Sequence, residues 1–189
     1  MAKLVLVKHA SPQITPEVSS HRWVLSEEGR DRCEWLAAEL RAQGVTRLYS
    51  SLEPKALETA ALVSIRLGVE VRPRRDLHEN DRTGLGFGAL GDLKRRMRQF
   101  FETPSDLVVG AETAEAALTR FEAAVRALAS EAGDQTIAVV THGTVLTLLV
   151  AKYNPIAPFD FWDSLALPSY VVMDAASFKL AGPVHNFPV

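Results

Sequence analysis

Lys3-Leu4-Val5-Leu6-Val7-Lys8-His9-Ala10 is the stretch on which the reading of this chain turns. Four consecutive apolar residues, two of them β-branched, run straight into a lysine and a histidine. An apolar run this short reads as a strand buried on both faces, with Lys8 and His9 at its C-terminal end. In open α/β sheets that end is the ligand-binding edge. Far downstream, Thr136-Ile137-Ala138-Val139-Val140-Thr141-His142-Gly143 repeats the pattern. Two buried strands that each end in a histidine predict that His9 and His142 meet over one pocket. Each histidine also precedes a small residue, Ala10 or Gly143, that lets a ligand approach the backbone.

The segments between these strands alternate in period. Ser26 is a good N-cap, and Cys33, Leu36, Ala37 and Leu40 mark one buried helical face that Gly44 closes. Val45 to Tyr49 reads as a strand, Pro54 to Leu67 as a helix stopped by Gly68, and Val69 to Val71 as a further strand leading to Pro73. Leu93 to Phe101 and Glu112 to Ala132 have helical spacing, as does the apolar Thr144 to Lys152. Ser169 to Met173 is the last strand, with Phe178 to Leu180 expected to hairpin back onto it. Strands alternating with helices predict a single α/β domain over residues 1–189, a three-layer α/β/α sandwich around a mostly parallel sheet. The loops Ser11–Trp23 and Asn80–Gly110 should wall the pocket, the second loosened by Gly84, Gly86, Gly88 and Gly91.

Composition narrows the function classes. The 189 residues are 47% apolar and 23% charged with a formal net charge of −2, which gives no global pull toward nucleic acid or membranes. Lys94-Arg95-Arg96-Met97-Arg98 reads as the solvated face of a helix. Cys33 is the only cysteine, so no internal disulfide forms, and its place on the buried face makes it a core residue. No apolar run approaches ~18 residues, and a cytoplasmic location is the expectation. No HExxH pattern or carboxylate cluster with ligand spacing occurs, so neither a metal nor another cofactor is expected. Phe159, Phe161, Trp162 and Leu165 leave two readings open, an apolar patch for self-association as a homodimer or packing in the core.

The chemistry that suits paired imidazoles and lysines is phosphoryl transfer. A neutral imidazole attacks phosphorus and forms a covalent intermediate, and the transferred group needs cations and N–H donors around its oxygens. Lys8 adjoins His9, Lys55 starts a helix behind another strand, and the amides after Gly143 open a helix, a natural anion site. Glu79 stands in the polar run Asp76-Leu77-His78-Glu79-Asn80-Asp81-Arg82, where it could serve as acid and then base. His21 and His185 read as ordinary surface or structural histidines.

These residues together resemble the histidine phosphatase superfamily, which includes the cofactor-dependent phosphoglycerate mutases. Lys8-His9-Ala10 lies where that family has Arg-His-Gly, and Trp23 to Arg30 is similar to its Leu-Thr-x-x-Gly helix start. Ser50-Ser51-Leu52-Glu53-Pro54-Lys55-Ala56-Leu57-Glu58-Thr59-Ala60 matches its Ser-Ser-x-x-x-Arg-Ala-x-x-Thr-Ala segment. Leu77-His78-Glu79, Glu112-Thr113 and Thr141-His142-Gly143 resemble its remaining motifs, in family order. The resemblance implies His9 as the phosphorylated nucleophile, Glu79 as acid then base, and His142 as stabiliser of the transferring group. It implies a phosphate held by Lys8, Lys55 and Gly143, with Arg22, Arg82 and His78 as auxiliary contacts, and a small phosphorylated molecule as the partner. Lysine at both family arginine positions keeps the charge but loses the bidentate fork. Three functions stay in play: phosphomonoester hydrolysis, mutase-type transfer, and a weakened module that binds a phospholigand.

Overall fold

Residues 2–82 and 90–188 are described by a computed structural model. Strand β1 (Lys3–Lys8) is the centre of the molecule, with its four apolar residues fully buried. It pairs in parallel with β4 (Ile137–Thr141) and antiparallel with β5 (Ser169–Asp174). Adding β2 (Arg47–Ser50), β3 (Val71–Pro73) and β6 (His185–Asn186) completes a six-stranded sheet in the order β3-β2-β4-β1-β5-β6. The β3-β2-β4-β1 portion is parallel.

Because side chains alternate along a strand, β1 feeds two cores. Val5 and Val7 face α1 (Glu27–Ala42) and α2 (Pro54–Leu67) through Leu36, Leu40, Ala56 and Val63. Leu4 and Leu6 belong to the larger core on the other face. That core is built from α3 (Leu90–Glu102), α4 (Ala114–Ala132), α5 (Gly143–Tyr153) and α6 (Pro158–Ser164). The result is the α/β/α sandwich expected from the alternation of periods.

Local chemistry sets the helix ends. The Ser26 hydroxyl accepts the Gly29 amide at 3.0 Å to start α1, and Thr113 accepts the Ala116 amide at 3.1 Å to start α4. Gly68 ends α2 at φ 72°, a left-handed cap that favours glycine. Cys33 is a core residue: its thiol reaches the Gly29 carbonyl and burial pushes its pKa up to about 12. On α3, Arg95 and Arg96 pair with Asp92, Lys94 with Asp163, and Met97 is buried between them.

Three expectations shift. The third strand is Val71–Pro73, just beyond Val69–Val71. The hairpin expected at Phe178–Leu180 shrinks to one bridge, Met173 to Leu180, and the sheet edge is taken by His185–Asn186. Of the two readings of Phe159, Phe161, Trp162 and Leu165, the structure supports the core: the aromatics pack from α6 onto the larger core and Leu165 is buried. The Arg98 guanidinium covers the Phe159 ring at 3.8 Å. The looseness expected from Gly84, Gly86 and Gly88 lies outside the described residues, whereas Gly91, counted with them, falls in the first turn of α3.

Candidate active site

Strand register brings the two histidines together. Lys8 pairs with Thr141, so His9 and His142 leave adjacent parallel strands at the same level, and the His9 amide donates to the Thr141 carbonyl at 3.1 Å. Their ring centroids are 5.2 Å apart, edge to face. The His9 Nδ1 lies 2.8 Å from the Ala10 carbonyl, which can only accept, so Nδ1 carries the proton and Nε2 keeps its lone pair. Burial above all, then the Lys55 charge, lowers the His9 pKa to about 3. The ring is therefore neutral at any ordinary pH, the form a nucleophile requires. Helix α2 steadies this end of β1, since Thr59 Oγ1 accepts the Ala10 amide at 3.1 Å.

Glu79 arrives on a connecting segment held at several points. Leu77 is fully buried and its carbonyl accepts from Thr141 Oγ1 at 2.8 Å. Arg120 of α4 donates to the carbonyls of Asp76, His78 and Glu79, and its guanidinium is gripped by both oxygens of Glu112 at 2.9 Å. Glu112 also accepts the Asp81 amide at 3.1 Å. At Gly110, φ 77°, a Cβ would stand 2.0 Å from the Asp81 carbonyl, so only glycine lets the two segments close on each other. The Glu79 carboxylate then accepts the Thr144 and Val145 amides at the start of α5, at 3.1 and 3.2 Å, and the Asn80 amide at 3.1 Å. The α5 amides thus orient a carboxylate of the protein itself.

The cations sort into two groups. Lys8 lies against Gly143, with its ammonium 2.8 Å from the Leu165 carbonyl, and burial lowers its pKa to about 8. Lys55 is buried and donates at 2.6 Å both to the Ser20 carbonyl and to Glu53. Arg82 contacts Thr144 Oγ1 at 2.8 Å and stands 3.6 Å from Glu79. Arg22, by contrast, stays exposed in the short turn Ser20–Arg22 and makes no side-chain hydrogen bond or ion pair among the described residues. His78 is partly buried, and burial and then the Arg120 charge lower its pKa.

Two participants went unread in the sequence. Glu53, 7% exposed, sends its carboxylate to Lys55 at 2.6 Å, to His21 Nδ1 at 3.1 Å and to within 3.4 Å of His142 Nε2. It also accepts the Glu79 amide at 2.8 Å. Burial works against its charge, yet the His21 hydrogen bond and the Lys55 ammonium hold its carboxyl well below the ordinary carboxylate range. His21 accepts the Arg82 amide at Nε2 and so bridges Glu53 to the segment that carries Glu79. Glu53 precedes Pro54, where an acidic residue signals no more than a helix start; contacts with His21, His142 and the Glu79 amide, distant in sequence, enclose it. Among the described residues, no group of three His, Cys, Asp or Glu side chains has metal-ligating geometry, and no helix is long and apolar enough to cross a membrane.

His9 and His142 stand at the ends of adjacent parallel strands, and Glu79 comes to the α5 amides from a connecting segment. Residues 4–177 match the histidine phosphatase superfamily (branch 1). The chain belongs to that superfamily. A phosphoglycerate mutase-like protein 4 of Arabidopsis thaliana is 28% identical over 167 residues, which cover 82% of this chain and 73% of the plant protein. Among solved structures, a mycobacterial glucosyl-3-phosphoglycerate phosphatase superposes with a TM-score of 0.77 at 17% identity, each chain fully covered. A phosphoserine phosphatase from Entamoeba histolytica, complexed with 3-phosphoglyceric acid, gives 0.73 at 15% identity and 98% coverage of both chains. At these identities the two superpositions speak to the fold.

Proposed function

We propose that this protein hydrolyses small phosphomonoesters, without a metal, through a phosphohistidine on His9. The observation that carries the reading is the His9–His142 pair, 5.2 Å apart, with His9 Nδ1 committed to Ala10 and Nε2 left as a neutral nucleophile. In the first step the Nε2 lone pair forms the N–P bond as the ester P–O bond breaks, and Glu79 gives the leaving oxygen a proton. In the second, Glu79 takes a proton from water, whose oxygen attacks phosphorus and breaks the N–P bond, releasing phosphate. Lys8, Lys55, Arg82 and the amide of Gly143 would neutralise the charge on the transferring oxygens, and His142 would stabilise them. The phosphatase relatives support small phosphorylated substrates of the phosphoglycerate or phosphoserine kind.

A second reading, a weakened module that binds a phospholigand, draws on the same lysines. Both ammonium groups already rest on protein acceptors: Leu165 for Lys8, Ser20 and Glu53 for Lys55. An aryl phosphate assay separates the two. Wild type should release phosphate, insensitive to chelators, and His9→Ala should lose turnover by about 10³-fold or more. No release from wild type would favour the binding module; equal release from both proteins would remove His9 as nucleophile. Transfer to an added hydroxyl acceptor in preference to water would mark a mutase.

A further inference from the structure

The proposed reaction gives Glu53 no part, although it is a buried carboxylate in the middle of the site. Its Oε1 stands 3.4 Å from His142 Nε2, which also lies 2.9 Å from Ser51 Oγ. His142 is fully buried and its Nδ1 has no hydrogen-bond partner. A lone pair on Nε2 would face the Glu53 carboxylate and leave a buried Nδ1–H without an acceptor. A proton on Nε2 removes both penalties, with Ser51 and Glu53 as acceptors, and leaves Nδ1 as a bare lone pair. A phosphoryl oxygen brought against that lone pair would be repelled unless Nδ1 gained a proton.

We propose that Glu53 is a positioning residue: it fixes the proton of His142 on Nε2 and holds the ring as imidazolium once a phosphoryl anion lies against Nδ1. The anion's identity rests on the phosphohistidine reading above; the pairing of the two side chains does not. The proton that forms the new Nδ1–H bond is taken from solvent as the anion enters. The groups facing His142 are Glu53, Lys55, His9, His21 and Ser51. Among the charged ones, Lys55 opposes an imidazolium and Glu53 favours it. Burial outweighs Glu53, so His142 is neutral until a second negative charge arrives. The carboxylate thus turns a histidine that faces the Lys55 ammonium into a donor that switches on with the ligand. This is a carboxylate–histidine pairing of the kind that fixes tautomers in other sites.

The test is nitrogen-resolved NMR of His142 in ¹⁵N-histidine-labelled protein, with inorganic phosphate as the probe. Wild type should show Nε2–H neutral imidazole alone and imidazolium at saturating phosphate near pH 7. In Glu53→Gln the bound-state transition should move down by roughly one pH unit or more, and Glu53→Asp should restore part of it. The pH dependence of phosphate affinity should move with it. A proton on Nδ1 in the free protein, a ring that stays neutral with phosphate bound, no phosphate binding, or an unchanged transition in Glu53→Gln each overturns the proposal. The wild-type titration decides alone if the variants fail to fold. Loss of the hydrolytic reading looks different: the imidazolium forms, but wild type turns over no ester.

Discussion

The two halves of the site are built by different means. His9 and His142 are delivered by the ends of adjacent parallel strands, and the Lys8–Thr141 register sets their spacing before any loop is placed. Glu79 and Glu53 are delivered by connecting segments, each held by a web of side-chain hydrogen bonds from elsewhere in the chain. The histidine half is as rigid as the sheet core. The carboxylate half is only as well placed as Arg120, Glu112, His21 and Gly110 make it. The proposed nucleophile and stabiliser therefore come from the sheet layer, and the proposed proton-handling group from a part that single substitutions can displace.

That contrast can be broken at the carboxylate first. Glu79→Gln should lower turnover of an aryl phosphate by about 10²- to 10⁴-fold while phosphate still binds, because the proposed general acid and base is gone and the histidine pair is not. Turnover within twofold of wild type would remove Glu79 from the proton path. A sharper form acts at a distance. Arg120→Met strips three carbonyls and Glu112 of their donor and should cost about 3 kcal/mol of stability in denaturant titration. It should also lower kcat by roughly tenfold while leaving phosphorylation confined to His9, since a group misplaced by about 1 Å weakens catalysis. Unchanged kcat would show that Glu79 is positioned without the Arg120 clamp.

The smallest effect belongs to the cations. With its pKa lowered to about 8 by burial, Lys8 is charged below that pH and loses its charge above it. Phosphate inhibition should therefore weaken severalfold between about pH 7 and pH 9, at modest ionic strength. Lys8→Arg, whose guanidinium stays protonated, should flatten that limb. A limb that persists in Lys8→Arg would assign it to another group.

How far the sequence could be read follows the same division. Leu4 to Val7 and Ile137 to Thr141 declare buried strands by composition alone, and Lys8, His9 and His142 follow from standing at their ends. The helix faces of α1 and α4 are periodic enough to read, as are the glycine stop at Gly68 and the Ser26 cap. Glu79 was one candidate among the polar residues of Asp76 to Arg82, and the family resemblance singled it out, since nothing in that run by itself says which side chain turns inward. Glu53 and His21 were not legible, because their burial arises from contacts between segments 32 residues apart in sequence. Arg22, next to His21 in the same turn, points the other lesson: adjacency in sequence did not bring it to the cluster. The edge strand His185–Asn186 is two residues long, too short for any alternation to show.

His9 Nε2 is the atom proposed to carry the phosphoryl group. Rapid acid-free quenching of wild type with a ³²P-labelled aryl phosphate, followed by peptide mapping, tests this most directly. The expected result is one label on His9 Nε2, stable to alkali, labile to acid and absent from His9→Ala. Label on His142, or sustained turnover with His9 never modified, would contradict it.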